Sequence, residues 1–186
     1  MDGYKSVGYS QTTLTELMVP SYSNFGGKIH GGVILSLMDK VAYVCAAKHA
    51  DAYCVTASID TVNFLAPVEV GELVSLLASV NYVGHSSLVV GIKVISENVK
   101  THEVKHTNTS YFTMVALDDK NKSIEVPGLL LHTENEVRRF FHAYHRKELK
   151  KHFKQEEHSM KANDNIEQYI VILQNERCRF NLSEGM

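Results

Sequence analysis

One carboxylate stands out among the residues that could do chemistry. Asp39 lies in a stretch from about His30 to Ala50 whose apolar side chains recur every three or four positions, as in a helix. A carboxylate in a largely apolar helix is costly to bury unless it is paired or functional. It could activate a water molecule or attack a carbonyl carbon directly. The alternative, which periodicity alone slightly favours, is a solvated residue on a polar face shared with Ser36 and Lys40.

Two glycines mark the predicted start of this helix. The run His30-Gly31-Gly32 follows a loop, residues 20–28, that is rich in Ser, Asn and Gly. The first amides of a helix are unpaired and carry partial positive charge, and glycine lets a ligand approach them closely. Such amides could polarise a carbonyl as an oxyanion site. The same glycines would also permit tight packing of the helix on a sheet, and the motif alone does not decide between the two.

Two further segments could bind phosphate. Ser86 and Ser87 end a Gly-His-Ser-Ser run whose hydroxyls could contact a phosphate, although they are also ordinary turn residues. The stretch from Arg138 to Lys154 is basic and has helical periodicity. Its simplest interpretation is a solvated amphipathic helix, and its functional interpretation is the capture of phosphates.

Several classes of protein are disfavoured by composition. The chain has 186 residues, three cysteines and a formal net charge of -2, so neither a disulfide framework nor nucleic-acid binding is expected. It has no Cys-x-x-Cys pair or trusted histidine spacing, so we expect no metal site. No apolar run reaches the ~18–20 residues of a membrane span. The first residues lack the layout of a secretion signal, which favours the cytoplasm.

The elements that must position these residues form an α+β pattern. One long apolar helix is followed by closely spaced strands, too close for helical crossovers, which indicates an antiparallel sheet. Beyond residue 134 the composition becomes charged, with a helix predicted over Glu134–Lys154, a loose segment over Gln155–Asn165 and a last short helix over Ile166–Leu173. The predicted strands are Thr12–Met18, Tyr53–Phe64, Leu73–Val83, Ser87–Ser96 and Val104–Leu117.

The chain resembles a known family in an ordered set of motifs. The segment from Asn24 to Asp39, with the sequence NFGGKIHGGVILSLMD, resembles the active-site segment of the acyl-CoA hydrolase subfamily of hotdog-fold thioesterases. Later segments resemble the following strands, the Gly-x-Ser-Ser turn and the C-terminal helix of that family. These are residues 55–60, 62–71, 84–87, 107–113 and 133–140. The resemblance covers about residues 10 to 150.

The resemblance implies a fold and an activity. The fold is the hotdog, a curled antiparallel sheet wrapped around a long central helix, here with a C-terminal helical extension. We expect a hotdog thioesterase domain over residues 10–130 and a charged helical extension over residues 131–186. The activity is hydrolysis of acyl-CoA to a free acid and CoA, without a metal or prosthetic group. The partners are acyl-CoA and further copies of the chain, as a dimer of hotdogs and, by family analogy, a trimer of dimers.

The resemblance also assigns roles to residues. Asp39 would be the general base or nucleophile, working with the helix start of another protomer. Amides at Gly31 and Gly32 would hold the thioester oxygen. His30 stands where many relatives have Phe and would shape the acyl pocket. Asn24 matches the asparagine of the family's loop and would position substrate or water, and Ser86 and Ser87 match positions near the CoA arm. If the substrate is acyl-CoA, the basic charge of the predicted C-terminal helix makes Arg138 and Arg139 candidates to contact the CoA phosphates.

Two other functions compete with this one. The first is a non-catalytic module that binds or senses acyl-CoA on the same fold, because fold does not fix function. The second is a hotdog dehydratase or hydratase. That chemistry usually needs a paired Asp and His, and His30 and Asp39 lie too far apart along one helix to form such a pair within a chain.

Overall fold

The computed structural model describes residues 3–162 and 165–182. The strands are β1 (Tyr4–Ser6), β2 (Thr12–Leu17), β3 (Tyr53–Ile59), β4 (Glu72–Val83), β5 (Ser87–Asn98), β6 (Val104–Leu117) and β7 (Gly128–Leu130). The helices are α1 (Val7–Ser10), α2 (Gly31–Ala50), α3 (Glu134–Ala162) and α4 (Ile166–Ile172), with 3-10 turns at Pro20–Tyr22 and Leu173–Asn175.

Five strands form one antiparallel sheet in the order β2-β4-β5-β6-β3. Its three central strands are 12 to 14 residues long. The register shifts between Val80 and Tyr82 in β4, and again between Val94 and Ile95 in β5. Such bulges bend a strand and increase its twist. The bent sheet contacts α2 through all five strands, so the sheet curls around this helix and the predicted hotdog fold is confirmed.

The core lies between α2 and the concave face of the sheet. The buried positions of α2 recur at helical spacing, and they include Ile34, Met38, Val41 and Cys45. They meet alternate residues of the long strands, which is the pattern of a sheet buried on one face. The sheet side of this core includes Val74, Leu76, Leu88, Val90, Ile92, Phe112 and Met114.

Two of the cysteines belong to this core. Burial raises the pKa of the Cys45 thiol to about 12 and that of Cys54 to about 11. Both are therefore protonated, unreactive thiols at neutral pH.

Two sequence predictions about local structure were wrong, and one strand pairing was not predicted. Strand β3 ends at Ile59 rather than Phe64, because its ladder with β6 ends there while the alternation in the sequence continues. Helix α3 continues to Ala162 through the segment expected to be loose. Good helix formers, an ion pair between Glu157 and Lys161 and the absence of glycine and proline explain this. The parallel pairing of β1 with β7 was not anticipated.

The chain divides into two compact units, residues 1–144 and 145–186. The first contains the sheet and α2, and the second contains most of α3 together with α4. This division falls inside a helix, so the domain boundary predicted at residue 130 stays a prediction. Part of the predicted extension, residues 163–164 and 183–186, lies outside the described residues. Among the described helices none is long and apolar enough to cross a membrane.

Candidate active site

Asp39 lies on the face of α2 that points away from the core. Its neighbours Leu37, Met38 and Val41 are buried, whereas Asp39 itself is exposed. The hydroxyl of Thr56, on strand β3, donates a hydrogen bond of 2.6 Å to the Asp39 Oδ1 atom. The side chain is thus both accessible and held in place. Since only Oδ1 receives this bond, the carboxylate keeps oxygen lone pairs available for a water molecule or a substrate.

The start of α2 presents one free amide. His30 is the N-cap, and its Nδ1 atom accepts a 2.9 Å hydrogen bond from the Gly32 amide. The imidazole therefore caps the helix, and in the neutral ring the proton sits on Nε2. The Gly31 amide, by contrast, has no hydrogen-bond partner among the described residues. Of the two amides expected to form an oxyanion site, Gly31 is the one left open to a ligand.

The space around both glycines explains why side chains are missing there. A Cβ atom added at Gly31 would lie 3.2 Å from Cζ of Phe64, and one added at Gly32 would lie 3.0 Å from Nδ1 of His30. These contacts come from the loop between β3 and β4 and from the helix cap. The glycines thus permit close approach at the helix start, and they are not placed against the sheet strands.

Asn24 organises the loop before α2. Its side-chain Oδ1 accepts hydrogen bonds from the amides of Gly26, at 2.9 Å, and Lys28, at 3.2 Å. Lys28 in turn forms an ion pair with Glu69, in the segment between β3 and β4. The oxygen of Asn24 is engaged within the loop, so the group it offers to a ligand is its NH₂.

The helix start and the carboxylate lie far apart within one chain. Gly31 and Asp39 are eight residues apart on α2, which at 1.5 Å per residue separates their Cα atoms by about 12 Å. A reacting carbonyl must lie ~3–3.5 Å from the group that attacks it. A carbonyl bound at the Gly31 amide is therefore out of reach of the Asp39 of the same chain.

The serines near the β4–β5 turn do not join this site in one chain. Ser87 begins β5 opposite Val115, and the buried Leu88 and Val90 alternate with it. Ser87 consequently lies on the outer face of the sheet, away from α2, and its carbonyl accepts from the Gly84 amide. The CoA-binding role predicted for Ser86 and Ser87 stays a prediction.

The predicted arginines lie on the first turns of α3. Arg138 borders an open groove of about 550 Å³ whose apolar walls include Leu131, Val137 and Phe141. Its Nη2 atom donates to Oδ1 of Asn135 at 2.6 Å. The neighbouring Arg139 is exposed. Both guanidinium groups are accessible to an anion, and their role in CoA binding also stays a prediction.

Sequence reasoning gave no role to Thr56. The sequence shows Thr56 as a polar residue of a strand that follows the helix. That this strand lies beside Asp39 depends on the pairing of β3 with β6, which the sequence pattern does not reveal.

Within the described residues, no group of three or more His, Cys, Asp or Glu side chains is arranged to hold a metal ion.

Comparison with known proteins places the chain in a family. The model of the thioesterase superfamily matches residues 26–102. The Helicobacter pylori protein VdlD is 47% identical over 137 residues, which are 74% of this chain and 78% of that protein. A hexameric acyl-CoA thioesterase of known structure is 38% identical, with a TM-score of 0.79, over 81% of this chain and 97% of that one. The chain belongs to the acyl-CoA hydrolase family of hotdog thioesterases.

A second solved member of the acyl-CoA hydrolase family has been seen with ligands. The Staphylococcus aureus acyl-CoA hydrolase, 31% identical with a TM-score of 0.78, was solved with butyryl-CoA, CoA and CoA disulfide. The match covers 86% of this chain and 97% of that one. Structures of its variants with alanine in place of an aspartate, an asparagine or a threonine are also known.

Proposed function

We propose that this chain hydrolyses acyl-CoA, with Asp39 as the catalytic carboxylate and the Gly31 amide as the oxyanion donor. The observation that carries the proposal is the exposed Asp39 carboxylate, oriented by the hydroxyl of Thr56 at 2.6 Å. Family membership supports the substrate class, since relatives of known structure are acyl-CoA thioesterases. The proposed reaction uses water and side chains of the protein, and it needs no metal or prosthetic group.

The spacing of three residues supports this choice of site. In the S. aureus hydrolase the substituted asparagine, aspartate and threonine follow one another at intervals of 15 and 17 residues. Asn24, Asp39 and Thr56 have the same order and intervals here. The shared spacing supports grouping the Thr56 hydroxyl with Asn24 and Asp39 in one proposed site.

The proposed chemistry follows from these positions. As a general base, Asp39 takes a proton from water while the water oxygen bonds to the thioester carbon. The carbonyl oxygen gains negative charge, which the Gly31 amide and the helix dipole stabilise. The tetrahedral intermediate then breaks its C–S bond, and the CoA thiolate takes up the proton to leave as a thiol. As a nucleophile, Asp39 would instead bond to the carbonyl carbon and expel the CoA thiolate, which leaves a mixed anhydride. Water would then cleave this anhydride to give the free acid and restore the Asp39 carboxylate.

Substitution of Asp39 tests the proposal. Asp39→Asn and Asp39→Ala should each lower kcat for butyryl-CoA by ~10²-fold or more, because the base or nucleophile is lost. Release of the CoA thiol measures the rate. The control is Asp119→Asn, the same change at an exposed turn residue, which should keep full activity.

Two outcomes would contradict the proposal. Full activity in both Asp39 variants would remove Asp39 from the mechanism. Tight binding of acyl-CoA by the unsubstituted protein, without turnover of any chain length, would favour the non-catalytic binding module.

We further propose that the working site is shared between two protomers. The ~12 Å between Gly31 and Asp39 along α2 supports this, since one chain cannot supply both groups to one carbonyl. Strand β3 is an edge of the sheet, and the Ala57–Ile59 part of it is exposed. An exposed edge can pair with a second copy of the chain.

Subunit mixing tests this sharing. Asp39→Asn and Gly31→Val should each be inactive alone, the second because a branched side chain would crowd Phe64 and cover the amide. Mixed dimers should recover about a quarter of full activity, since half the dimers are hybrids with one intact site of two. No recovery above the separate variants, in preparations shown to contain hybrids, would place the whole site in one chain.

Phosphate binding and location complete the proposal. Arg138 and Arg139 are the candidates for the CoA phosphates, and the apolar groove beside Arg138 gives them a neighbouring surface for the adenine ring. Ser86 and Ser87 would contact the CoA arm only if another protomer brings them to the site.

The cytoplasmic location expected from the sequence stays a prediction.

A further inference from the structure

Phe64 is held over the start of α2 by a loop that is tied to β6 at both ends. The Asp60 amide donates to the Tyr111 carbonyl at 2.9 Å, and the Leu65 amide donates to the Thr107 carbonyl at 2.8 Å. Between these two ties the chain leaves the sheet and turns toward the helix. The position of Phe64 is thus set by backbone hydrogen bonds rather than by burial, because half of its side chain is exposed.

The ring touches the residue that carries the free amide. Cζ of Phe64 lies 3.2 Å, and its two Cε atoms 3.5 and 3.6 Å, from where a Cβ atom of Gly31 would be. The ring tip therefore occupies the space that any other residue at position 31 would fill. The Gly31 amide has no partner among the described residues, so a ligand oxygen bound there would sit ~2.9 Å from its nitrogen, beside the ring.

We propose that Phe64 determines specificity for the carbon next to the reacting carbonyl, so that straight acyl chains are accepted and chains branched at C2 are disfavoured. The inference rests on the proposed function and deepens it. A carbonyl whose oxygen is held by the Gly31 amide brings its substituents to the ring. A methylene can pack against the edge of the ring, whereas a second carbon on C2 needs the volume that the ring already fills. Differences of one carbon in an apolar site are typically worth ~10- to 200-fold in kcat/KM.

Two isomeric substrates test this directly. Butyryl-CoA and 2-methylpropanoyl-CoA have the same atoms and differ only in branching at C2. We expect the unsubstituted protein to favour the straight isomer by at least ~10-fold in kcat/KM. Phe64→Ala should bring the ratio to within a few-fold of one, mainly by raising kcat/KM for the branched isomer. Leu65→Ala is the matched control, because Leu65 is the exposed neighbour of Phe64 on the same loop, and it should keep the original ratio.

The comparison of isomers separates specificity from stability. If Phe64 only supported the fold, Phe64→Ala would lower both rates together and leave their ratio unchanged, which would overturn the inference. Equal rates for both isomers in the unsubstituted protein, or equal narrowing in Leu65→Ala, would also overturn it. Thermal unfolding shows whether Phe64→Ala is folded. If it is not, Phe64→Leu keeps apolar volume at the site and should still lower the ratio of kcat/KM for the straight isomer to that for the branched isomer. An unchanged ratio in Phe64→Leu counts against the inference.

The same data distinguish this inference from the proposed function. Hydrolysis of butyryl-CoA with no effect of Phe64 on the isomer ratio refutes the specificity role alone. If neither C4 isomer is hydrolysed, the same comparison is made with a straight and a 2-methyl acyl-CoA of a chain length that is turned over. Absence of turnover at every chain length by the unsubstituted protein refutes the proposed function, and the inference falls with it.

Discussion

Two carboxylates of this protein, Glu72 and Asp39, lie in opposite environments. Glu72, at the start of β4, has a buried side chain and three donors. Its Oε2 accepts from the Ser96 hydroxyl and, at 2.9 Å, from the Glu69 amide, while its Oε1 accepts from Lys105 Nζ at 2.8 Å. Asp39 is exposed and accepts a hydrogen bond from the Thr56 hydroxyl.

The difference shows what each carboxylate is built to do. Burial alone would raise the pKa of Glu72, but the hydrogen bonds from the Glu69 backbone, Lys105 and Ser96 outweigh it and hold the pKa below its usual value. Its oxygens are occupied, so Glu72 is a structural anion that ties three strands together. Asp39 retains unoccupied oxygen lone pairs on an accessible face, which suits a group that must take up a proton or bond to a substrate.

The largest effect expected from this comparison is on stability. Glu72→Gln should lower the free energy of unfolding by about 2–3 kcal/mol at neutral pH, because charged hydrogen bonds in a buried network are lost. Urea unfolding followed by circular dichroism measures it. The control is Glu97→Gln on β5. The carboxylate of Glu97 is more exposed and lies 3.4 Å from His102, so the stability of this variant should barely change.

The stabilisation that Glu72 provides should depend on pH. Because the pKa of Glu72 is lower in the folded protein than in the unfolded chain, its contribution to stability is complete above 4.5, the ordinary pKa of a glutamate, and is lost as pH falls through the folded pKa. The stability difference between the unsubstituted protein and Glu72→Gln should therefore shrink on acidification. A difference that grows as pH falls from neutral toward 4.5 would instead show that the pKa of Glu72 is raised in the folded protein.

The fold could be predicted where burial decides the structure. The buried face of α2 and the long strands β4 to β6 repeat apolar residues at the periods of helix and strand, so their positions follow from the sequence. The end of β3 at Ile59 could not be predicted in this way, because it depends on where a neighbouring strand stops pairing. Helix α3 is longer than predicted because its polar distal half is stabilised by helix propensity, which a burial pattern does not report.

The candidate site divides in the same way. Asp39 and the glycines were found because their residue types are unusual at those positions in the sequence. The occupied Gly32 amide could not be found, because it depends on the orientation that the His30 ring adopts at the cap. Thr56 and Phe64 reach the site through tertiary contacts of β3 and its following loop, which no local pattern reports.

The smallest expected effect concerns the Thr56 hydroxyl, which donates to Asp39. Thr56→Val keeps the shape of the side chain and removes its hydroxyl, so the Asp39 carboxylate loses the bond that orients it. We expect kcat for butyryl-CoA to fall by about 10-fold, in line with the worth of one hydrogen bond to a charged group. Stability should be nearly unchanged, because Thr56 is exposed on an edge strand.

Thr56→Ser is the matched control for that experiment, since it restores a hydroxyl without the methyl group. Its kcat should lie close to that of the unsubstituted protein. The hydroxyl also lies 3.4 Å from the sulfur of Met114, but it has one proton, and a carboxylate is the stronger acceptor. Equal loss of kcat in the Val and Ser variants would mean that the methyl packing of Thr56, and not its bond to Asp39, supports turnover. Asp39 would then work without a fixed donor, and the contrast with Glu72 would be greater than the structure alone indicates.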